Sequence, residues 1–194
     1  MTPTLTPLIR VKTDSIAARW MLATLMTGVT CVCAQISAPL PFTPVPITLQ
    51  VFAVFLSGLL LGRRWGTISL LQYLLLGALG LPVFALGRGG IGVLFGLTGG
   101  YLLSYPVAAG MVGWYSGRRP TLIGALIACA LGLGILYGVG CLWLGVMSQP
   151  VLSVRATLLA GAGWFLAWDA AKAAVAVAVA CGLKSRFRNN LAGL

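Results

Sequence analysis

The amino-acid sequence predicts an all-α, polytopic integral membrane protein with six transmembrane helices. The chain has 194 residues, of which 59% are hydrophobic and only 8% are charged, and its mean hydropathy is +1.01. Soluble domains carry about a quarter charged residues, so this much apolar surface requires a lipid environment. A spanning helix needs about 20 apolar residues, and four uncharged runs are at least that long. These runs cover residues 20–62, 65–87, 89–117 and 120–154.

Prolines, glycines and pairs of charged residues set the predicted helix boundaries. Four prolines interrupt the first run, and because proline fixes φ and lacks a backbone N–H, they separate helix 1 from helix 2. The six helices are predicted at 15–37, 47–62, 66–80, 92–116 and 121–146, with a last segment that ends near Lys184. We expect one membrane domain over 15–187, between a cytoplasmic N-terminal segment of 1–14 and a cytoplasmic C-terminal tail of 188–194.

The distribution of basic residues favours this count and gives an orientation. The chain has 13 Lys and Arg residues against two Asp and Glu residues. With both termini in the cytoplasm, ten basic residues lie inside, Arg88 and Arg155 lie in outer loops, and Lys172 lies within a span. Positive residues concentrate on the cytoplasmic side of membrane proteins. Because the basic residues occur in pairs between apolar runs, and not on one soluble face, we expect no nucleic-acid partner.

Composition also excludes several chemistries. Histidine is absent and the two acids, Asp14 and Asp169, are far apart, so neither a Ser-His-Asp triad nor a carboxylate-bridged metal site is expected. The five cysteines show no CxxC pair, so we expect them to pack as small apolar residues and not to form disulfides or bind metal. A GxGxxG match at 87–92 lacks the acidic residue of a dinucleotide site, and no Walker A motif occurs. We expect no enzymatic activity, no metal site and no cofactor.

The segment 39–50, with the sequence PLPFTPVPITLQ, joins the first two helices on the outer face. Four prolines in eight residues predict a stiff, extended loop. This loop is either a rigid connector or a lid over a pocket. In the second case Thr43, Thr48 and Gln50 supply polar groups where the chain re-enters the membrane. Arg88, in another outer loop, is either solvated or a ligand-binding cation.

Asp169 and Lys172 are the second candidate site. Residues three apart share a helix face and can pair, and ionisable groups at membrane depth are by default a functional hypothesis. A helix over 156–182 places Asp169 at mid-membrane. A break at the glycines of 161–163, which we favour, starts the helix near Trp168 and opens the pair to an outer pocket. A structural ion pair and a proton relay remain alternatives.

The chemistry of this pair indicates a class of ligand. A carboxylate accepts hydrogen bonds from amide or ureido N–H groups, and an ammonium attracts a carboxylate. The pair therefore suits a small polar ligand with N–H donors and an acid tail. Trp164, Trp168 and Tyr101 are candidates for the apolar walls of the pocket.

Four motifs carry a resemblance to a known family, and they lie within residues 20–182. They are PLPFTPVPITLQ at 39–50, GLPVF at 80–84, TGGY at 98–101 and DAAK at 169–172. In these motifs the sequence resembles the BioY family, the biotin-specific S components of energy-coupling-factor (ECF) transporters. It departs from the family pattern at Leu86, Leu97 and Ala167-Trp168.

The resemblance implies a six-helix protein of the bacterial cell membrane that captures biotin from outside. It implies a transmembrane T component and two cytoplasmic ATPases as partners. Asp169 and Lys172 match the family's Asp-x-x-Lys binding motif, Tyr101 falls in its TGGY segment, and the proline-rich loop would be the gate. The alternatives are an S component for another small vitamin and a stand-alone carrier that couples transport to protons through Asp169.

Overall fold

The computed structural model describes the backbone of residues 15–148 and 153–192, and side chains as far as residue 183. The predicted N-terminal segment 1–14 lies outside the described residues, as do the last two residues of the predicted tail. The described chain is mostly helical. Its helices are α1 (Ile16–Gln35), α2 (Gln50–Ala78), α3 (Ile91–Leu94), α4 (Gly99–Arg118), α5 (Leu122–Met147), α6 (Val154–Leu158) and α7 (Leu166–Ala192).

Helix α2 is a hairpin of two antiparallel arms, 50–61 and 63–78. The chain turns at Gly62, whose φ of 76° and ψ of −175° are not helical. Gln50 and Tyr73 would lie ~34 Å apart in a straight helix. Instead Gln50 Nε2 donates to Tyr73 Oη at 2.6 Å. The two arms therefore correspond to the separate helices predicted at 47–62 and 66–80.

Four helical stretches of the described chain are long and apolar enough to cross a membrane. They are Ile16–Gln35, Gln50–Ala78, Leu122–Met147 and Val154–Leu183. The second of these contains both arms of α2. The helix predicted over 92–116 is instead two pieces, α3 and α4, because residues 95–98 form a turn between them. The structure is therefore that of a membrane protein with several apolar helices.

The proline-rich segment forms a β-hairpin, which corrects the prediction of an all-α fold with an extended loop. Strand β1 (Ser37–Leu40) pairs antiparallel with strand β2 (Thr43–Thr48), with Ser37 opposite Thr48. A two-stranded sheet leaves each strand with one unpaired edge, where proline is tolerated because no ladder N–H is needed there. The register shifts between Ala38 and Leu40, at the position of Pro39. The prolines thus fit a short twisted ribbon.

Small residues allow the helices to pack closely around α2. Helix α2 packs against α1, α4 and α7, and α5 packs against both α4 and α7. A Cβ atom at Gly58 would lie 2.5 Å from the Ala109 carbonyl oxygen and 2.9 Å from Val112 Cβ. At this crossing of α2 and α4 only glycine fits, which is the role of small residues at membrane helix contacts. Gly134, on the exposed face of α5, has no neighbour within 4 Å of such a Cβ.

We predict that Gly58→Ala lowers the melting temperature of the detergent-purified protein, because the added methyl group collides with the α4 backbone. Gly134→Ala is the matched control, since it adds the same methyl group to a helix in open space. Its higher helix propensity, about 0.5–1 kcal/mol, should leave the melting temperature unchanged or raised. Equal melting temperatures for the two variants would show that the α2–α4 contact is not tight.

Candidate functional site

A cavity lies at the end of the helix bundle that carries the β-hairpin. The space inside it, with the open mouth included, is about 780 Å³. The hairpin, the connection between α2 and α3, and helices α4, α5 and α7 surround it. The polar residues of its wall are Thr48, Gln50, Arg88, Thr98, Tyr101, Tyr105, Tyr137, Asp169 and Lys172.

Asp169 and Lys172 form an ion pair in the cavity wall. Lys172 Nζ donates to Asp169 Oδ1 at 2.7 Å. Asp169 is only 5% exposed, and a carboxylate so deeply buried requires partners of this kind. The pairing of the two residues on one helix face is as the sequence predicted.

The helix before this pair is irregular at the predicted glycines. A π-helical segment covers Leu159–Gly163, a turn follows, and α7 begins at Leu166, two residues before Trp168. The backbone nevertheless keeps right-handed helical angles at Leu158, Leu159 and Trp164, and 154–183 is one helical stretch. Asp169 lies in the first turn of α7. The structure thus combines the two arrangements weighed from the sequence, since the helical path is continuous and its register changes at the glycines.

Tyr137 is a site residue that the sequence analysis missed. Its hydroxyl, on α5, donates to Asp169 Oδ2 at 2.6 Å. The two carboxylate oxygens therefore each have a donor, one from α7 and one from α5. The signal that could have identified Tyr137 is its hydroxyl in a helix that is otherwise almost wholly apolar, since a buried hydroxyl needs a hydrogen-bond partner.

Tyr101 lies in the cavity wall, as predicted, and fastens α4 to the π-helical segment. Its hydroxyl donates to the Gly161 carbonyl oxygen at 2.9 Å. Its ring packs directly on Gly140 of α5, where an added Cβ would fall inside the ring. The side chain is therefore fixed by three elements at once.

Thr48 and Gln50 also line the cavity, and Gln50 joins two further tyrosines. Gln50 Nε2 donates to Tyr73 Oη at 2.6 Å, while Tyr105 Oη donates to Gln50 Oε1 at 3.4 Å. Tyr73 in turn donates to the Val83 carbonyl oxygen at 3.1 Å. This chain of hydrogen bonds ties the start of α2 to the connection between α2 and α3.

That connection carries Arg88 to the cavity. The Phe84 N–H donates to the Arg88 carbonyl oxygen at 2.9 Å, which closes a tight turn. Within the turn Leu86 has a φ of 62°, a left-handed conformation that is uncommon for residues other than glycine. Leu86 is one of the positions where the sequence departs from the family pattern. The Arg88 guanidinium forms no ion pair with any residue in the described part of the chain.

Two predicted site residues do not line the cavity. Trp168 is 61% exposed on the outer surface of the bundle, because it is rotated by about 100° from its inward-facing neighbour Asp169. Thr43 is buried at the tip of the hairpin, and its Oγ1 donates to the Ala160 carbonyl oxygen at 2.7 Å. Trp164, also proposed as a wall, is exposed and instead contacts Phe42, with ring centroids 5.2 Å apart.

The described residues contain no cluster of three or more metal-binding His, Cys, Asp or Glu side chains. The described part of the chain is therefore an apolar helical bundle with a buried ion pair in a cavity beneath a β-hairpin, which is the class of a membrane protein with a polar site in an otherwise apolar pocket.

Comparison with known proteins defines the family. The family model described as the BioY family matches residues 5–189, so this chain belongs to the BioY family. It is 41% identical to the biotin transporter BioY of Thermotoga maritima, covering 84% of this chain and 93% of that protein. It is 40% identical to the probable biotin transporter BioY of Pyrococcus horikoshii, covering 82% of this chain and 91% of that one.

A solved structure shares the fold. The crystal structure of the S-component for biotin from an ECF-type ABC transporter matches with a TM-score of 0.82 and 27% sequence identity. The match covers 90% of this chain and 94% of that chain.

We predict that Thr43→Val loosens the tip of the hairpin. The substitution keeps the shape of the side chain and removes two hydrogen bonds of the hydroxyl, the one donated to the Ala160 carbonyl oxygen and the one accepted from the Val45 N–H, each worth about 1 kcal/mol. Amide hydrogen exchange of the protein in nanodiscs should accelerate in residues 37–48 beyond Val45 itself, while α5 exchanges at the wild-type rate. Acceleration confined to Val45, or none, would mean that the bond to Ala160 does not hold the hairpin.

Proposed function

We propose that the protein is the biotin-binding subunit of a biotin uptake system, a transport subunit and not an enzyme. The observation that carries the proposal is the buried pair of Asp169 and Lys172 in the cavity wall. The names of the BioY relatives and of the structural neighbour supply the ligand.

The ion pair suits the ureido group of biotin. That group is neutral and carries two N–H donors and one carbonyl acceptor. Asp169 keeps lone pairs free beyond its two hydrogen bonds, and Lys172 has three donors of which Asp169 takes one. The carboxylate accepts a ureido N–H and the ammonium donates to the ureido oxygen. A neutral head group thus meets a pair with no net charge.

Arg88 is the counterion that we assign to the carboxylate tail of biotin. The Lys172 charge is already balanced by Asp169 at 2.7 Å, so a second negative group gains little from it. Arg88 is exposed, lies in the cavity wall and has no ion-pair partner among the described residues. The apolar rings and chain of the ligand then contact Phe84, Tyr101 and Leu136.

We infer six membrane crossings, in which α1, the two arms of α2, α4, α5 and the α6–α7 stretch each cross once. The arms of α2 count separately because the chain reverses at Gly62. Two connections at the end of the bundle opposite the cavity carry exposed arginines. Because positive residues concentrate on the cytoplasmic side, these arginines support a cytoplasmic location for that end of the bundle. They are Arg63, Arg64, Arg118 and Arg119.

This topology places the hairpin and the cavity outside and both termini in the cytoplasm of a bacterial cell. The membrane domain then covers 15–187, with cytoplasmic segments at 1–14 and 188–194. Arg118 lies 4.3 Å from the centre of the Trp114 ring, a contact suited to the membrane interface, where tryptophan is enriched. The hairpin acts as the gate of the cavity, since its tip reaches Ala160 beside the site.

The partners in this proposal are a transmembrane T component and two cytoplasmic ATPases. The ECF-type ABC transporter named for the structural neighbour supports them, and the sequence has no Walker A motif of its own. A stand-alone, proton-coupled carrier acting through Asp169 and an S component for another vitamin are the competing functions.

We predict that calorimetry detects tight binding of biotin and that Arg88→Ala weakens it at least about tenfold, or ~1.4 kcal/mol. Biotinamide, which lacks the charged carboxylate, should bind wild type and Arg88→Ala equally. Arg155→Ala removes another arginine at the same end of the bundle, outside the cavity wall, and should bind both ligands as wild type does. Absence of biotin binding by folded wild type would contradict the proposed function.

We predict that proteoliposomes take up biotin with ATP when the protein is reconstituted with its T component and ATPases. Collapse of the proton gradient with an uncoupler should leave this uptake unchanged, because the ATPases supply the energy. Uptake by the protein alone that stops with the uncoupler would instead establish the proton-coupled carrier.

A further inference from the structure

We propose that Tyr137 is a positioning residue, whose hydroxyl holds the Asp169 carboxylate in the orientation that accepts a ureido N–H. This inference rests on the proposed binding of biotin. It adds a residue on α5 to the recognition of the ligand by the pair on α7.

The hydrogen bonds of Asp169 fix its carboxylate from two directions. Lys172 donates to Oδ1 from the same helix, while Tyr137 donates to Oδ2 at 2.6 Å from the neighbouring helix. The terminal torsion of an aspartate is broad when nothing holds it. Lys172 alone restrains one oxygen and is itself a flexible side chain. The donor from α5 restrains the other oxygen and so sets the plane of the carboxylate.

Tyr137 acts on the ligand through Asp169. A tyrosine hydroxyl has a single proton to donate, and Asp169 Oδ2 takes it. The carboxylate has about four lone-pair sites, so two hydrogen bonds leave acceptors for the ligand. Asp169 and Tyr137 both line the cavity, so the carboxylate that Tyr137 orients is within reach of a ligand there.

The position of Tyr137 is itself fixed by the packing of α5. Gly140, one turn further along α5, fits directly against the Tyr101 ring with no room for a side chain. Trp143, on the next turn, donates its indole N–H to the Gly96 carbonyl oxygen at 2.9 Å. A rigid supporting helix of this kind is what keeps a binding group within a fraction of an ångström of its working geometry.

The first test is a double-mutant cycle with calorimetric titration of biotin. Tyr137→Phe should weaken biotin binding about threefold to tenfold, as expected for the net contribution of one hydrogen bond. In the Asp169→Asn background the same substitution should change the affinity less than twofold, because the group that it orients is gone. Tyr115→Phe is the matched control, since its hydroxyl makes no hydrogen bond to a described residue, and it should bind as wild type.

The second test measures selectivity, which a general loosening of the cavity would not alter. Wild type should prefer biotin over biotin methylated on one ureido nitrogen, and Tyr137→Phe should reduce this preference. The proposal is overturned if Tyr137→Phe weakens the binding of both ligands equally. It is also overturned if this variant binds biotin with wild-type affinity. Wild type that binds no biotin would overturn the proposed function itself, which separates the two failures.

Discussion

The Asp169 carboxylate is a buried negative charge in a chain that consists mostly of apolar helices. A charge in such a place is costly unless it is paired and hydrogen-bonded. Lys172 supplies the opposite charge one helical turn away, and Tyr137 supplies the second hydrogen bond. Because these donors come from two helices, the packing of α5 against α7 and the geometry of the ligand site depend on each other.

The π-helical segment connects this site to the hairpin. A change in helical register leaves backbone carbonyl groups without their usual partners, which is tolerated at membrane depth only where other groups satisfy them. Here Thr43 donates to the Ala160 carbonyl oxygen and Tyr101 donates to that of Gly161. One bond comes from the hairpin and the other from the cavity wall. Movement of the hairpin and the start of α7, which carries Asp169, are therefore mechanically linked.

The sequence predicted most of the helical architecture because apolar run length and chain-breaking residues report directly on helices in a membrane. It also predicted the pairing of Asp169 and Lys172, since a spacing of three fixes their relative position on one helix. The β-hairpin was not predicted, because a count of prolines does not show which backbone groups pair. Trp168 does not line the cavity, because adjacent helical residues are rotated by about 100° and its neighbour Asp169 faces inward.

The residues that the sequence did not reveal share one physical property. Tyr73, Tyr105 and Tyr137 each meet their partners across a contact between different helices or arms. Periodicity within one helix identifies neither the partner helix nor its rotation. A tyrosine hydroxyl within an apolar helix indicates only that it has a hydrogen-bond partner, not which residue that partner is.

The most direct test is biotin titration of the Asp169→Asn/Lys172→Met double variant. Removal of both charges leaves no unpaired ion, and neutral replacements of a buried pair are often tolerated or stabilising. We therefore expect a folded protein with a melting temperature near that of wild type and biotin affinity reduced by at least about 100-fold, or ~2.7 kcal/mol. Wild-type affinity in this folded variant would contradict the assignment of the ion pair as the site of ligand recognition.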